Sequence, residues 1–306
     1  MKRKKITAVT CMGVLLFLLC GTVAASKGIG DTALQKVQEA ESVQTDMTVE
    51  LEIKVMGMTL KAGAENRMIA HREQSGLQWE STLDLGLLGK AQHSVYARQK
   101  EGAKQAGQKQ AYELYSYTGD GKKGWQYQEV RTDDLRCYHA LEMMETYLEQ
   151  IQDWKLIGTS KLNGGEAYVY QGVIRGSGLK EILLGTGSLE EVRFLLEETR
   201  LKYFGIALSG QEKLEEMMKN AKDMPVTVWI HKNTGAPVRY EVDVAKMLNE
   251  GYQELVLALP EKKVGYAGMK LLKGIEITGA KFVVTCKDYG TAPEILIPRE
   301  ALAAKK

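Results

Sequence analysis

The sequence predicts a single α+β domain built on a long, curved antiparallel sheet. Several segments alternate apolar and polar residues with a period of two, and turn-forming residues separate them. Only a few segments show a helical period, and strands and helices do not alternate regularly as they do in a parallel sheet. The 306 residues, 44% of them hydrophobic and 26% charged, suffice for one large core.

The first residues have the three parts of a secretory signal peptide. Four basic residues at positions 2–5 precede an uncharged apolar run at 6–19, and small residues follow at 21–26. We therefore expect residues 1–25 to be a signal peptide cleaved after Ala25, and residues 26–306 to form the single domain. The protein is then extracytoplasmic, either associated with the cell envelope or secreted.

Two alternatives to this cleavage are less favoured by the residues. A transmembrane anchor needs roughly 17 or more apolar residues, and the run here is shorter. A lipid could be attached at Cys20, but the large Leu19 precedes it where such signals carry a small residue. Lipidation of Cys20 is therefore a disfavoured alternative.

Charge and cysteine content limit the partners of the domain. The formal net charge is +2, but the four basic residues of the leader account for that excess, so the remainder has no field to hold nucleic acid. Outside the leader the cysteines are Cys137 and Cys286. We expect two buried free thiols, with a Cys137–Cys286 disulfide as the alternative, since such bonds persist outside the cytoplasm.

The N-terminal part of the domain predicts a helix and a long hairpin. A helical period covers residues 32–43, after Asp31 as a candidate N-cap. Strict alternation follows at 47–55 and returns at 58–64 around Gly57. One face of this hairpin is apolar and the other polar, so we expect the apolar face to point into the domain.

The rest of the chain predicts further strands and helices in order. Strands are expected at 76–85, 93–98, 111–118, 124–130, 154–161, 167–175, 226–231, 238–244, 274–287 and 292–298. An Asn163-Gly164 step between two of them is typical of a hairpin. Helices are expected at 132–154, where Cys137, Leu141, Met144, Leu148 and Ile151 share a face, and at 179–184, 189–199, 211–222 and 245–257.

No pattern of catalytic or metal-binding residues emerges from the sequence. The four histidines, His71, His93, His139 and His231, lack the spacing of a zinc site, and we expect no metal and no cofactor. Ser177 and Lys180 fit the Ser-x-x-Lys pattern of penicillin-recognising enzymes, but the companion motif near Lys232 carries an extra Asn. We therefore expect a protein that is not an enzyme.

Flexible apolar side chains are the remaining candidates for a binding site. Thioethers adapt to irregular apolar shapes, so a half-barrel lined by them could accept an acyl chain. Ordinary core packing is the alternative for each. The candidate cavity residues are Met47, Val49, Leu51, Ile53, Met58, Leu60, Met144, Leu148, Tyr240 and Val242.

Residues 228–240, Val-Trp-Ile-His-Lys-Asn-Thr-Gly-Ala-Pro-Val-Arg-Tyr, carry a family resemblance together with the leader, the first helix and the long hairpins. They resemble the extracytoplasmic proteins of Gram-positive bacteria related to the outer-membrane lipoprotein carriers (LolA/LolB-like). Residues 295–301 are similar to the terminal strand of that family. The resemblance implies an unclosed antiparallel half-barrel wrapped around helices, with an apolar interior able to hold lipid.

Two functions remain open at this point. The first is a non-enzymatic envelope protein that binds a lipid or lipid-linked ligand in its apolar half-barrel. The alternative is an interaction or sensing module with a filled core, which contacts a protein or cell-wall polymer. A lipid or acyl ligand and a membrane surface are the expected partners, and nucleic acid is not.

Overall fold

The structure, a computed structural model, describes residues 28–72, 76–84, 90–100, 111–119, 124–131, 135–136, 138–162, 165–176, 181–182, 221–257, 259 and 261–305. The expected signal peptide and Cys20 lie outside the described residues. So does nearly all of the helical insert expected at 179–222.

Within the described residues, eleven antiparallel strands form one sheet in the order β6-β5-β4-β3-β2-β1-β11-β10-β9-β8-β7. The two end strands, β6 and β7, do not pair with each other, so the sheet is not closed. This confirms the predicted α+β fold with an unclosed antiparallel sheet. The strands are β1 Ser42–Val55, β2 Met58–His71, β3 Gly76–Asp84, β4 Lys90–Gln99, β5 Ala111–Thr118, β6 Gln126–Arg131, β7 Gln152–Leu162, β8 Gly165–Ile174, β9 Met224–His231, β10 Pro237–Asp243 and β11 Ile275–Lys287.

The central strand β1 shows how the sequence pattern becomes a two-faced sheet. Met47 and Val49 are buried on the inner face, whereas Thr48 and Glu50 are exposed on the outer face. The predicted hairpin with β2 ends in a two-residue loop, because Val55 pairs directly with Met58. Both loop residues have positive φ, 51° at Met56 and 84° at Gly57, as hairpin turns of the primed type require.

Six helices are described: α1 Ile29–Gln38, α2 Ala140–Leu148, α3 Ala245–Leu257, α4 Glu261–Val264, α5 Tyr266–Lys273 and α6 Arg299–Ala303. Helix α2 packs on β1 and β2, and α1 packs on α2 and β10. These two helices cover the inner face of the sheet. The main core lies between them and the sheet.

Two predicted helices are shorter than expected. The helix predicted at 132–154 begins only at Ala140, because His139 is its N-cap and accepts a hydrogen bond from the Glu142 backbone N–H. At its other end the chain enters β7 through Asp153, whose φ is 54°. The helix predicted at 32–43 ends at Gln38, and Val43 instead pairs with Ala70 in the sheet.

Helix α3 protects an exposed strand edge. Strand β10 pairs with β11 only at residues 281–285, so the beginning of β11 lacks a neighbour on that side. There Asn249 Oδ1 accepts a hydrogen bond from the Ile277 backbone N–H at 2.9 Å, and Gln253 Nε2 donates to the Ile275 carbonyl at 2.8 Å. These side chains satisfy the free edge and prevent it from pairing with another chain.

The last predicted strand, at 292–298, is wrong. This segment has irregular structure and runs along the outer face of the sheet to α6. His71 Nε2 donates to the Pro293 carbonyl at 2.8 Å, and the Ala292 N–H donates to Ser42 Oγ at 3.1 Å. The segment is held by side chains rather than by a ladder, and proline lacks the N–H that a ladder needs.

Candidate functional site

The candidate site is an apolar cavity between α2 and the inner face of the sheet. Its volume is about 50 Å³. Strands β1, β2, β8, β9, β10 and β11 form its floor, and α2 forms its roof together with Ile151, three residues after the end of that helix. The described lining residues are Thr45, Met47, Met68, Ala140, Met143, Met144, Tyr147, Ile151, Ile174, Val226, Tyr240, Val242, Phe282 and Val284.

Methionines make the wall adaptable. Met47 and Met68 come from the sheet, and Met143 and Met144 face them from α2. Unbranched thioethers change shape at low cost, so a wall built from four of them can accommodate more than one occupant. No charged side chain lines the cavity among the described residues.

Cys286 lies beside this wall as a buried free thiol, so the alternative of a disulfide with Cys137 is not realised. Cys137 itself lies outside the described residues. The Cys286 Sγ donates to Met144 Sδ at 3.9 Å, and burial raises the pKa of the thiol to about 12. Cys286 is therefore protonated and unreactive at neutral pH.

Arg72 fastens the roof of the cavity to the sheet. Its Nε donates to the Ala40 carbonyl at 3.0 Å, and one terminal nitrogen donates to the Val37 carbonyl at 3.1 Å. The same guanidinium pairs with Glu145 on α2. One side chain at the end of β2 thus joins α1, α2 and the start of β1, and any movement of α2 away from the sheet must break the pair with Glu145.

The structure brings only some of the residues predicted from the sequence to the cavity. Met47, Met144, Tyr240 and Val242 line it. Val49 and Leu148 are buried in the same core without lining the cavity, Leu51 packs at the margin of that core, and Ile53 is half-buried.

Met58 and Leu60 differ from their predicted position. They share the inward-pointing register of β2, but they lie at the tip of the β1–β2 hairpin, away from the residues that α2 covers, and there they are 64% and 45% exposed. Met56 in the same turn is 73% exposed. Alternation predicts which face a residue points to, but it does not predict how far along the strand the helices extend.

Several lining residues were not predicted. Thr45 continues the inward alternation of β1 by one step but is polar, and Met68, Phe282 and Val284 are inward residues of the neighbouring strands. Tyr147 lies four residues after Met143 on α2, and that spacing is the sequence signal that could have identified it.

The described residues contain no group of three or more His, Cys, Asp or Glu side chains placed to hold a metal ion. Ser177 and Lys180 lie outside the described residues, while Lys232 forms an ion pair with Glu166, with 2.7 Å between Nζ and Oε2. In the described part of the chain, no helix combines the length and the hydropathy required to cross a bilayer.

Comparison with known proteins gives structural similarities only. No family model matches the sequence, and no curated protein matches it. The structure of LprF from Mycobacterium bovis is similar, with 13% sequence identity, a TM-score of 0.42, and coverage of 89% of this chain and 95% of that chain. The lipoprotein LppX of Mycobacterium tuberculosis is 10% identical with a TM-score of 0.39, over 87% of this chain and 95% of its own.

A LolA superfamily protein from Nitrosomonas europaea is also similar, with 8% identity, a TM-score of 0.22, and coverage of 89% of this chain and 96% of that chain. The expected resemblance to LolA-like proteins is thus a similarity in the course of the chain. At identities of at most 13% and TM-scores of at most 0.42, function has to be argued from the residues of this protein.

Proposed function

We propose that this protein is a non-enzymatic binding protein that holds the apolar chain of a lipid or lipid-linked molecule between α2 and the inner face of the sheet. The observation that supports this most directly is the uncharged, methionine-rich cavity at that place. A void lined by apolar atoms stays dry and favours an apolar occupant over water. The binding residues are Met47, Met68, Met144 and Val284.

The volume of the cavity sets a condition on this function. Sites for small molecules usually have about 300–1,000 Å³, and this cavity has about 50 Å³. An acyl chain therefore enters only if α2 moves away from the sheet. The Arg72–Glu145 pair would open in that movement, and the four methionines would repack around the chain.

The same small volume favours a second candidate function. If α2 does not move, the interior is close to full, and the protein acts through its surface as an interaction or sensing module in the envelope. A protein or cell-wall polymer would then contact the outer face or an edge of the sheet. The two functions differ in one measurable property, which is the binding of an apolar probe inside the domain.

Two adjacent valines on β11 provide matched variants for this measurement. Val284 lines the cavity, whereas Val283 points to the opposite face of the same strand. Val284→Phe places a ring in the cavity and should weaken binding of the uncharged probe N-phenyl-1-naphthylamine about tenfold or more, roughly 1.4 kcal/mol. Val283→Phe should change the Kd by less than about twofold, because it leaves the interior untouched.

Fluorescence titration gives both Kd values, and mass spectrometry of the gently purified wild-type protein shows whether a lipid copurifies. If the wild-type protein neither binds the probe nor carries a lipid, the binding function is wrong and the surface module is supported. Equal effects of the two valine variants would also contradict an internal site.

The proposed location, outside the cytoplasmic membrane, depends on the leader. An intact mass of the exported protein corresponding to residues 26–306 would support cleavage after Ala25. A mass that includes an acylated Cys20 would show a membrane tether instead, and an unprocessed chain would contradict both.

A further inference from the structure

Three side chains on the inner face of the sheet bury polar atoms that have no hydrogen-bond partner among the described residues. They are Thr45, which is 0% exposed, Asn66 at 4% and Tyr240 at 8%. The atoms without a partner are Thr45 Oγ1, the Tyr240 hydroxyl, and both the oxygen and the nitrogen of the Asn66 amide. A buried polar atom left unpaired destabilises a fold by about 1–3 kcal/mol, so a cluster of such atoms requires an explanation.

Strand register places these three residues on neighbouring rows of the inner face, while the wall that the cavity itself exposes is apolar. Tyr240 pairs with Val284, Val284 with Met47, and Met47 with Asn66, so the four residues form one row across β10, β11, β1 and β2 on the inner face. Thr45 lies in the next row, two residues before Met47 on β1. Thr45, Met47, Tyr240 and Val284 all line the cavity.

Asn66 is not itself a lining residue of the cavity, but it lies between two residues that are. Met47 is its cross-strand partner, and Met68 follows it by two residues on the same face of β2. Directly paired Cα atoms in an antiparallel sheet are about 4.5–5.5 Å apart. An Asn amide supplies donors through its nitrogen and an acceptor through its oxygen, and a hydroxyl can do either.

The row continues as a neutral polar stripe. Asn66 pairs with Ser81, and Ser81 pairs with His93. Ser81 and His93 are both buried on the inner face. His93 Nδ1 lies 3.0 Å from Thr118 Oγ1, and desolvation lowers the pKa of His93 to about 4, so the ring is uncharged at neutral pH. Burial raises the pKa of Tyr240, which therefore remains a neutral phenol.

These features restrict the ligand. An ionised carboxylate or phosphate buried without an opposite charge is strongly unfavourable, and no charged side chain lines the cavity among the described residues. A pure hydrocarbon would leave the polar atoms of Thr45, Asn66 and Tyr240 unpaired. A ligand with both an apolar chain and an uncharged carbonyl or hydroxyl group would pair with them.

We infer that Thr45, Asn66 and Tyr240 form a polar subsite that binds the uncharged ester or hydroxyl groups of an acylated polyol, next to its acyl chain in the methionine-rich cavity. This inference rests on the proposed function, since the chain must enter the domain for its polar end to reach these atoms. It goes further by naming the chemical class of the ligand.

The test compares two ligands that carry the same acyl chain. The uncharged ester 1-monooleoylglycerol and the anion oleate compete with N-phenyl-1-naphthylamine for the wild-type protein at pH 8, where oleate is ionised. We expect monooleoylglycerol to bind at least about tenfold more tightly than oleate, because only the ester enters without burying a charge. Equal affinity, or tighter binding of oleate, would overturn the inference.

Variants then assign the preference to the three residues. Thr45→Val and Tyr240→Phe remove one hydroxyl each and should lower the ratio of the ester affinity to the oleate affinity by about three- to tenfold. Thr48→Val is the matched control, because Thr48 lies three residues from Thr45 on the exposed face of β1, and it should leave the ratio unchanged. An unchanged ratio in Thr45→Val and Tyr240→Phe contradicts the subsite.

A stability measurement separates a ligand site from buried water. Asn66→Leu replaces an amide by an apolar group of similar shape, and in the ligand-free protein it should raise the urea midpoint, since two unpaired atoms disappear. If ordered water already satisfied Asn66, the variant would lower the midpoint, and that result would overturn the inference.

If the ester shows no preference but the apolar probe still binds, the polar subsite is wrong and the proposed function stands. If nothing binds, both are wrong.

Discussion

Replacing Val284 by isoleucine tests whether the cavity is a real void. The substitution adds one methylene to a side chain that lines a cavity of about 50 Å³. A void destabilises a fold by about 24 cal/mol per Å³, so complete filling could contribute about 1.2 kcal/mol. One methylene removed from water is worth about 0.8 kcal/mol. We therefore expect Val284→Ile to raise the free energy of unfolding by about 0.5–1 kcal/mol.

Urea unfolding followed by tryptophan fluorescence measures this change as a shift in the midpoint at constant m. The control is Val283→Ile on the outer face of the same strand, which should remain within about 0.5 kcal/mol of the wild type. A loss of about 1 kcal/mol or more in Val284→Ile would mean that the interior is already full and the added group overpacks it. The reasoning behind the internal site would then be refuted.

Two further predictions concern pH and the fastening of α2. Desolvation lowers the pKa of His93 from 6.5 to about 4. Between these two pH values the unfolded chain binds a proton at His93 and the folded protein does not. The free energy of unfolding is therefore undiminished above pH 6.5 and falls by about 3 kcal/mol as the pH drops towards 4. The slope of urea midpoint against pH over this window should be shallower in His93→Phe, and an unchanged slope would contradict the assignment. Arg72→Met should lower the free energy of unfolding by about 2–3 kcal/mol, because it leaves the Glu145 carboxylate and two backbone carbonyls without this donor. Arg67→Met, which removes a more exposed ion pair with Asp46, should lower it by less than about 1 kcal/mol, and equal losses would show that Arg72 does not fasten the helices.

The periodicity of the sequence was sufficient for most of the sheet. The strand predicted at 111–118 and the helix predicted at 245–257 have the predicted bounds, and the hairpin at Gly57 was predicted correctly. Each of these elements depends on local signals, either a period of two, a period of 3.6, or a residue that tolerates positive φ. Local signals are present in the sequence before any tertiary contact forms.

The errors occur where a distant part of the chain determines the structure. Residues 292–298 contain the apolar run 295–297 that a strand could carry, but their partners are His71 and Ser42, more than 200 residues away, and these hold them in irregular structure. The helix predicted from residue 132 begins at Ala140, where His139 provides the cap. Alternation and helical period carry no information about such contacts.

The binding site divides in the same way. Inward direction followed from the sequence for Met47, Met144 and Tyr240, since each lies on the apolar face of its element. The sequence could not distinguish these residues from Met58, because coverage by α2 depends on where the helix crosses the sheet.

The sequence alone thus determined an α+β chain with one apolar sheet face and an expected export signal, since periodicity and composition are properties of neighbouring residues. Only the tertiary structure decided that the eleven described strands form one open sheet, that a cavity remains under α2, and that Thr45, Asn66 and Tyr240 are buried on the inner face of that sheet without partners among the described residues. The physical reason is that pairing register and helix placement bring together residues far apart in the chain, and burial and hydrogen-bond satisfaction exist only once they have met.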